Sequence, residues 1–228
     1  MATIVFDFDS TLIPVESLEE VLRSGVGTDA DAIQRVEAIT RRGMEGELDF
    51  RASLEARLAI ASPTRAAALS TGEQLAAQLT PGAAECVAAL RVEGHEIRIV
   101  SGGLRAVILP SARALGLSDA DVHAVTVQWN DDGSFAGFVE DGFIDSKVEG
   151  LRRLDPDWSR PVIAVGDGAT DRALATSGLA DGFLAFTGHI RRDFVDAHDV
   201  PSVESMRDLS DRLTSLIPTL RTDPDTHG

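Results

Sequence analysis

Cysteine occurs once in this chain, at Cys86, so no intrachain disulfide can form. The residue falls in the apolar-patterned segment 83–90 and is expected to be a small core side chain. Long apolar runs are missing too. Nothing approaches the roughly 20 residues that a membrane-spanning helix requires, so no membrane partner is expected. No cationic segment followed by an apolar one opens the chain. The first strand pattern begins almost at Met1 and leaves no room for a signal peptide, so a cytoplasmic location is the expectation. Positive charge is scarce: 21 Lys and Arg stand against 37 Asp and Glu, a net charge of −16, with no basic patch. Such a surface repels nucleic acid, which is not expected as a partner. His95, His123, His189 and His198 lack metal-ligand spacing, His227 is in the tail, and none is assigned a catalytic role. Trp129 and Trp158 read as packing residues.

What is present is patterned. With 228 residues, 43% of them hydrophobic, and a mean hydropathy of +0.01, the chain can bury one substantial core or a core with an inserted subdomain. Strand patterns fall at 2–8, 95–100, 122–128 and 161–166, with a weaker one at 182–186. Helical patterns at 83–93, 104–116, 146–154 and 170–176 separate most of them. The alternation predicts a doubly wound, Rossmann-like α/β fold with a parallel sheet. The interval 14–78 breaks the rhythm. It reads as amphipathic helices at 15–24, 30–42, 50–61 and 64–69, the last continuing toward 79, with Thr28-Asp29 and Ser62-Pro63 as punctuation. The expected organisation is therefore a core of residues 1–13 and 79–228, with a helical cap, 14–78, inserted after the first strand. Asp131-Asp132-Gly133-Ser134 between 125–129 and 135–140 predicts a β-hairpin flap. A final helix is expected at 203–216 and a frayed tail at 222–228.

Charged and flexible residues collect where the strand patterns stop. Asp7-Phe8-Asp9-Ser10-Thr11 follows the first strand. Ser101-Gly102-Gly103 follows 96–100, and its free N–H groups can wrap an anion if a helix starts there. Gly166-Asp167-Gly168-Ala169-Thr170-Asp171 follows 161–165. In an open parallel sheet, ligands bind off the carboxyl ends of strands. Carboxylates held together there repel one another and favour a cation between them. Lys147, opening the helix before the third of these loops, is a plausible partner for the same anion.

These four pieces, in this order, resemble the haloacid dehalogenase superfamily of phosphotransferases, and within it the phosphoserine phosphatase family. Glu16, the stretch Gly43 to Phe50 leading into Ser53-Leu54-Glu55-Ala56-Arg57-Leu58, Leu79-Thr80-Pro81-Gly82 and Ala185-Phe186-Thr187-Gly188 extend the similarity over residues 3 to 215. Thr170 stands where many members have Asn, and Leu104 where Phe is usual. The resemblance implies Mg²⁺-dependent hydrolysis of O-phosphoserine, the last step of serine synthesis, through an aspartyl-phosphate. It implies Asp7 as nucleophile and Asp9 as general acid and base. Ser101, Gly102 and Lys147 would hold phosphate. Asp7, Asp9 (by its main-chain carbonyl) and Asp167 would hold the metal, with Asp171 behind them orienting a metal-bound water. Glu16, Met44, Phe50, Arg57, Gly103 and Thr170 would contact substrate, Glu16 its ammonium and Arg57 its carboxylate.

Plainer readings stand beside these. Asp171 and Glu16 also suit helix N-termini, Arg57 also suits a solvated ion pair, and Met44 and Phe50 also suit a cap core. Related phosphatases of phosphohomoserine or phosphocholine, or a non-catalytic binding module on the same fold, are the alternatives in function. Monomer and homodimer are both open.

Overall fold

The computed structural model describes residues 1–44 and 47–221. The side chains of Gly43, Met44 and Arg221 lie outside that description, and so does the tail expected to fray at 222–228. The strands are β1 (Thr3–Phe6), β2 (Glu96–Leu104), β3 (Val122–Val125), β4 (Val127–Trp129), β5 (Phe135–Phe138), β6 (Val162–Gly166), β7 (Gly182–Phe186) and β8 (Ser202–Val203). Six of them form one parallel sheet in the order β3-β2-β1-β6-β7-β8, and β4 and β5 pair as an antiparallel hairpin. β1 is central and buried throughout: Ile4, Val5 and Phe6 are apolar, and the Thr3 hydroxyl donates to the Ser159 carbonyl at 2.8 Å. The order runs outward from β1 in both directions, so chain direction across the sheet reverses beside β1 and β6. A crevice opens at such a point.

Ten helices are described. α1 (Ser17–Val26), α2 (Ala30–Met44), α3 (Phe50–Ala61) and α4 (Arg65–Ala76) follow β1 without an intervening strand. α5 (Ala83–Val92), α6 (Arg105–Ala114), α7 (Lys147–Leu154), α8 (Ala169–Thr176), the short α9 (Asp193–Ala197) and α10 (Met206–Arg221) complete the chain. α5 packs on α10 and α7 on α8. Starts and stops follow side-chain chemistry. Asp49 accepts the Ala52 N–H at 2.7 Å and Thr64 accepts the Ala67 N–H at 3.2 Å, satisfying donors that a helix leaves free. Asp29 caps α2 in the same way, and Ser62, in a left-handed conformation ahead of Pro63, closes α3. Among the described residues no helix is long and apolar enough to cross a membrane.

The four inserted helices are docked, not tethered. A Cβ on Gly72 of α4 would lie 2.7 Å from the Val107 carbonyl oxygen of α6, so backbone contact between these helices requires glycine there. The hairpin touches the insertion as well. The Arg65 N–H donates to the Gly133 carbonyl at 2.8 Å, and Arg51 pairs with Glu140 and, at 3.1 Å, with Asp145.

Element positions depart from the sequence expectation in several places. Ser101-Gly102-Gly103, expected as a turn after a strand ending at 100, lies within β2, and the final helix expected at 203–216 runs from Met206 to Arg221. The strand expected over 122–128 leaves the sheet after Val125, and Val127–Trp129 belongs to the hairpin. β8 and α9 had no counterpart, because two- and five-residue elements are too short to carry a period.

Candidate active site

β1 sets the site. Its ladder with β6 continues one residue past the strand, through the Asp7 N–H to the Val165 carbonyl at 2.8 Å. That bond anchors Asp7 beside the end of β6, which Asp167 follows. The Asp7 side chain turns back onto its own loop. Oδ1 accepts the Phe8 N–H at 2.7 Å and also meets Lys147 Nζ at 2.7 Å. Lys147 is the first residue of α7, whose start is fixed by Ser146 capping the Glu149 N–H at 3.0 Å. Its ammonium reaches Asp171 Oδ1 at 2.6 Å, and Asp171 Oδ2 accepts the Gly168 N–H at 3.0 Å. All three side chains are buried.

This triad is short of positive charge. Burial, followed by the Asp171 charge, pushes the Asp7 carboxyl well above its ordinary range, and Lys147 offsets only part of that. Burial opposes the charge on Lys147, but Asp171 and Asp7 outweigh it and hold its pKa above the usual value. Asp167 is pushed up by burial and drawn partly back by Arg192. Oxygens of Asp7, Asp167 and Asp171 all lie within 4.8 Å of one another. Buried, mutually repelling carboxylate oxygens at that spacing match the hard donor set of a divalent cation such as Mg²⁺.

Asp9 is placed differently. Its Oδ1 accepts the Ser17 N–H at 2.8 Å, which ties it to the first turn of α1. Burial and then the neighbouring Glu16 raise its pKa to about 7, while Ser17 pulls it down. Asp9 is therefore protonated far more readily near neutral pH than an ordinary carboxyl. Of the two glycines that follow Ser101, Gly103 is the one that space requires. A Cβ on Gly103 would sit 2.9 Å from Ser17 Oγ and 3.3 Å from Asp9 Oδ2, and one on Gly102 would sit 3.4 Å from the Phe50 ring. Both interrupt the β2–β3 register between Ser101 and Leu104, and α6 starts at Arg105 immediately after. Ser101 is buried, and its Oγ accepts the Gly103 N–H at 3.0 Å.

One cavity of about 310 Å³ brings most of the expected residues together. Asp7, Asp9, Glu16, Phe50, Arg57, Ser101, Gly102, Gly103, Lys147, Asp167 and Thr170 all line it. Asp171 lies behind Lys147, and the Met44 side chain is outside the described residues. Glu16 accepts from Ser10 Oγ at 2.9 Å. Arg57 is buried: its Nε donates to the Ser53 carbonyl at 3.2 Å and its Nη1 to Glu19 at 3.2 Å. Burial lowers the Arg57 pKa, opposed by Glu19.

Sequence reasoning missed Ser17, Glu19 and Arg192. Arg192 lines the cavity and pairs with Asp167 at 2.7 Å. The only signal for it was its position in the loop after a strand.

Gly166 gives the first prediction. A Cβ there would lie 2.3 Å from the Asp171 carboxyl. Gly166→Ala is therefore expected to overpack the site and destabilise the protein by about 1–3 kcal/mol in urea unfolding. An unchanged midpoint would mean that Asp171 has room to withdraw.

Comparison with known proteins agrees with the geometry. The profile of haloacid dehalogenase-like hydrolases matches residues 4–176. The chain is 31% identical to phosphoserine phosphatase of Homo sapiens, over 84% of each chain. It is 35% identical to phosphoserine phosphatase of Idiomarina loihiensis, over 74% of each. The structure of a phosphoserine phosphohydrolase-like protein from Francisella tularensis superposes with a TM-score of 0.84 at 38% identity, covering 93% of this chain and all of that one. Strand-end acids on a central parallel strand, a buried lysine between them and a match over most of the chain agree: this protein belongs to the haloacid dehalogenase-like hydrolases and is related to their phosphoserine phosphatases.

Proposed function

We propose that this chain is a phosphoserine phosphatase, hydrolysing O-phospho-L-serine to serine and phosphate through an aspartyl-phosphate on Asp7. The observation that supports it most is a single cavity lined both by the acids and Lys147 needed for phosphoryl transfer and by Glu16 and Arg57. Phosphoserine carries an ammonium and a carboxylate besides its phosphate, and a selective pocket must pair both.

The residues divide the work as follows. Both contacts to Asp7 fall on Oδ1, which leaves Oδ2 to attack phosphorus. As the bond from phosphorus to the serine oxygen breaks, Asp9 delivers its proton to that oxygen. Asp9, now ionised, takes a proton from the water that attacks the phosphorus of the aspartyl-phosphate, and phosphate leaves. Lys147, Ser101 and the Gly102 N–H face the equatorial oxygens, where charge is spread in the transition state. Mg²⁺, held by the Asp7 and Asp167 carboxylates and the Asp9 carbonyl with Asp171 behind them, would supply the remaining neutralising charge at the phosphoryl group. Residues 14–78 form the cap in this reading. Glu16, Leu18, Glu19, Phe50 and Arg57 are its contribution to the cavity wall.

Arg57 decides the substrate. Arg57→Ala is expected to reduce kcat/KM for phosphoserine by about 2–5 kcal/mol. For p-nitrophenyl phosphate, which has no carboxylate, the loss is expected to be far smaller. Arg57→Lys recovers only part, because an ammonium cannot make two parallel bonds. Equal losses on both substrates would make Arg57 a structural residue paired with Glu19, and the phosphoserine assignment would fall with it.

A further inference from the structure

Arg192 reaches the cavity from the segment between β7 and α9, outside every motif considered above. Its Nε and Nη2 both fall on Asp167 Oδ2, at 2.9 and 2.7 Å, and Nη2 lies 3.8 Å from Glu16 Oε1. The two cations at the acidic strand ends are thus held in different ways. Lys147 is buried between Asp7 and Asp171 and has nowhere to go. Arg192 is 37% exposed, although the Asp167 it holds is only 5% exposed, and a second carboxylate lies within a small swing of its side chain.

A guanidinium does not lose its proton, so its charge can only be moved, never neutralised. A divalent cation binding Asp167 would lie within a few ångströms of that charge and repel it. The pair with Asp167 therefore opposes cation binding, and the carboxylate of Glu16 is placed to receive the displaced guanidinium.

We propose that Arg192 is an exchangeable internal counter-ion: it holds Asp167 when no divalent cation is bound and shifts to Oε1 of Glu16 when one binds, which leaves Oε2 for the substrate ammonium. The inference rests on Asp167 being a cation ligand, as in the function proposed above. It makes Arg192 a positioning residue that sets how tightly the protein takes its metal.

Calorimetric titration with Mg²⁺ alone, without substrate, tests this on the full chain. Arg192→Gln is expected to bind Mg²⁺ about tenfold more tightly than wild type, a difference of about 1.4 kcal/mol. Glu16→Gln is expected to bind it more weakly, because the displaced guanidinium loses its receiving carboxylate. In chelator, Arg192→Gln should melt about 2–4 °C below wild type, and at saturating Mg²⁺ the gap should close. Unchanged or weaker Mg²⁺ binding by Arg192→Gln would overturn the proposal. So would a melting deficit equal in chelator and in Mg²⁺, which marks a fixed structural pair. Unchanged binding by Glu16→Gln would remove the shift to that residue. Absence of Mg²⁺ binding by wild type and both variants would instead remove Asp167 as a ligand, and the proposed metal site with it.

Discussion

Asp7→Asn is expected to lower turnover of phosphoserine by at least about a thousandfold while leaving a folded protein. Both parts follow from the geometry. Asparagine keeps the shape of the side chain and an oxygen to accept the Phe8 N–H, so the loop after β1 has no reason to rearrange. It removes one of two buried carboxylates that share the Lys147 ammonium, and Asp171 remains to pair with Lys147. In the function proposed above, what is lost is the anionic oxygen that attacks phosphorus. Release of phosphate, followed alongside a thermal melt, checks both. Residual activity of a tenth, with deamidation excluded by mass, would mean that another group attacks.

Lys147→Met is expected to have the larger effect on stability. Removing the ammonium leaves Asp7 and Asp171 buried and facing each other without their cation. Breaking a buried pair on one side costs about 3–5 kcal/mol. Activity should fall with it, since in the proposed function this ammonium faces the phosphoryl oxygens. The pH dependence distinguishes this from a simple packing defect. A carboxyl whose folded pKa is raised above its unfolded one destabilises the fold while ionised, and that cost is relieved as pH falls through the folded value. Asp7 is raised even in the presence of Lys147 and will be raised further without it. The stability gap between wild type and Lys147→Met, measured in chelator by urea unfolding, should therefore narrow as pH is lowered. A gap independent of pH would point to lost packing alone.

The strand ends were legible because two independent patterns coincide there. An apolar run that stops at a carboxylate fixes both a buried strand and a charged edge, and residues 3–9 and 162–171 each carry both signals. The helical insertion was legible from its period and its punctuation at Thr28-Asp29 and Ser62-Pro63, whereas the caps Asp49 and Thr64 emerged only with the structure. Pairing was not legible. Arg191 and Arg192 are adjacent and chemically identical, yet Arg191 pairs with Asp196 near the surface while Arg192 reaches Asp167 across the sheet edge. Glu19 and Glu20 divide the same way: Glu20 meets Arg23 one turn along its own helix, and Glu19 meets Arg57 on another. One residue along a helix turns a side chain by about 100°, so only the docked fold decides which neighbour faces the cavity. Ser17 was missed for a related reason. Its contribution to Asp9 is a main-chain N–H, which every residue but proline possesses.

The strand order has a consequence for how the protein comes into being. β1 is synthesised first and its neighbour β6 begins only at Val162, so Asp7 and Asp167, which flank the proposed cation site, meet only when most of the chain has emerged. Until then an apolar strand lacks one of its two partners, and long-range parallel pairing of this kind is slow to form. Affinity for a cation at the proposed site thus requires β6 to be paired with β1. A ligand that binds only the finished fold draws the equilibrium toward it, so a divalent cation at the proposed site should hold the assembled sheet together.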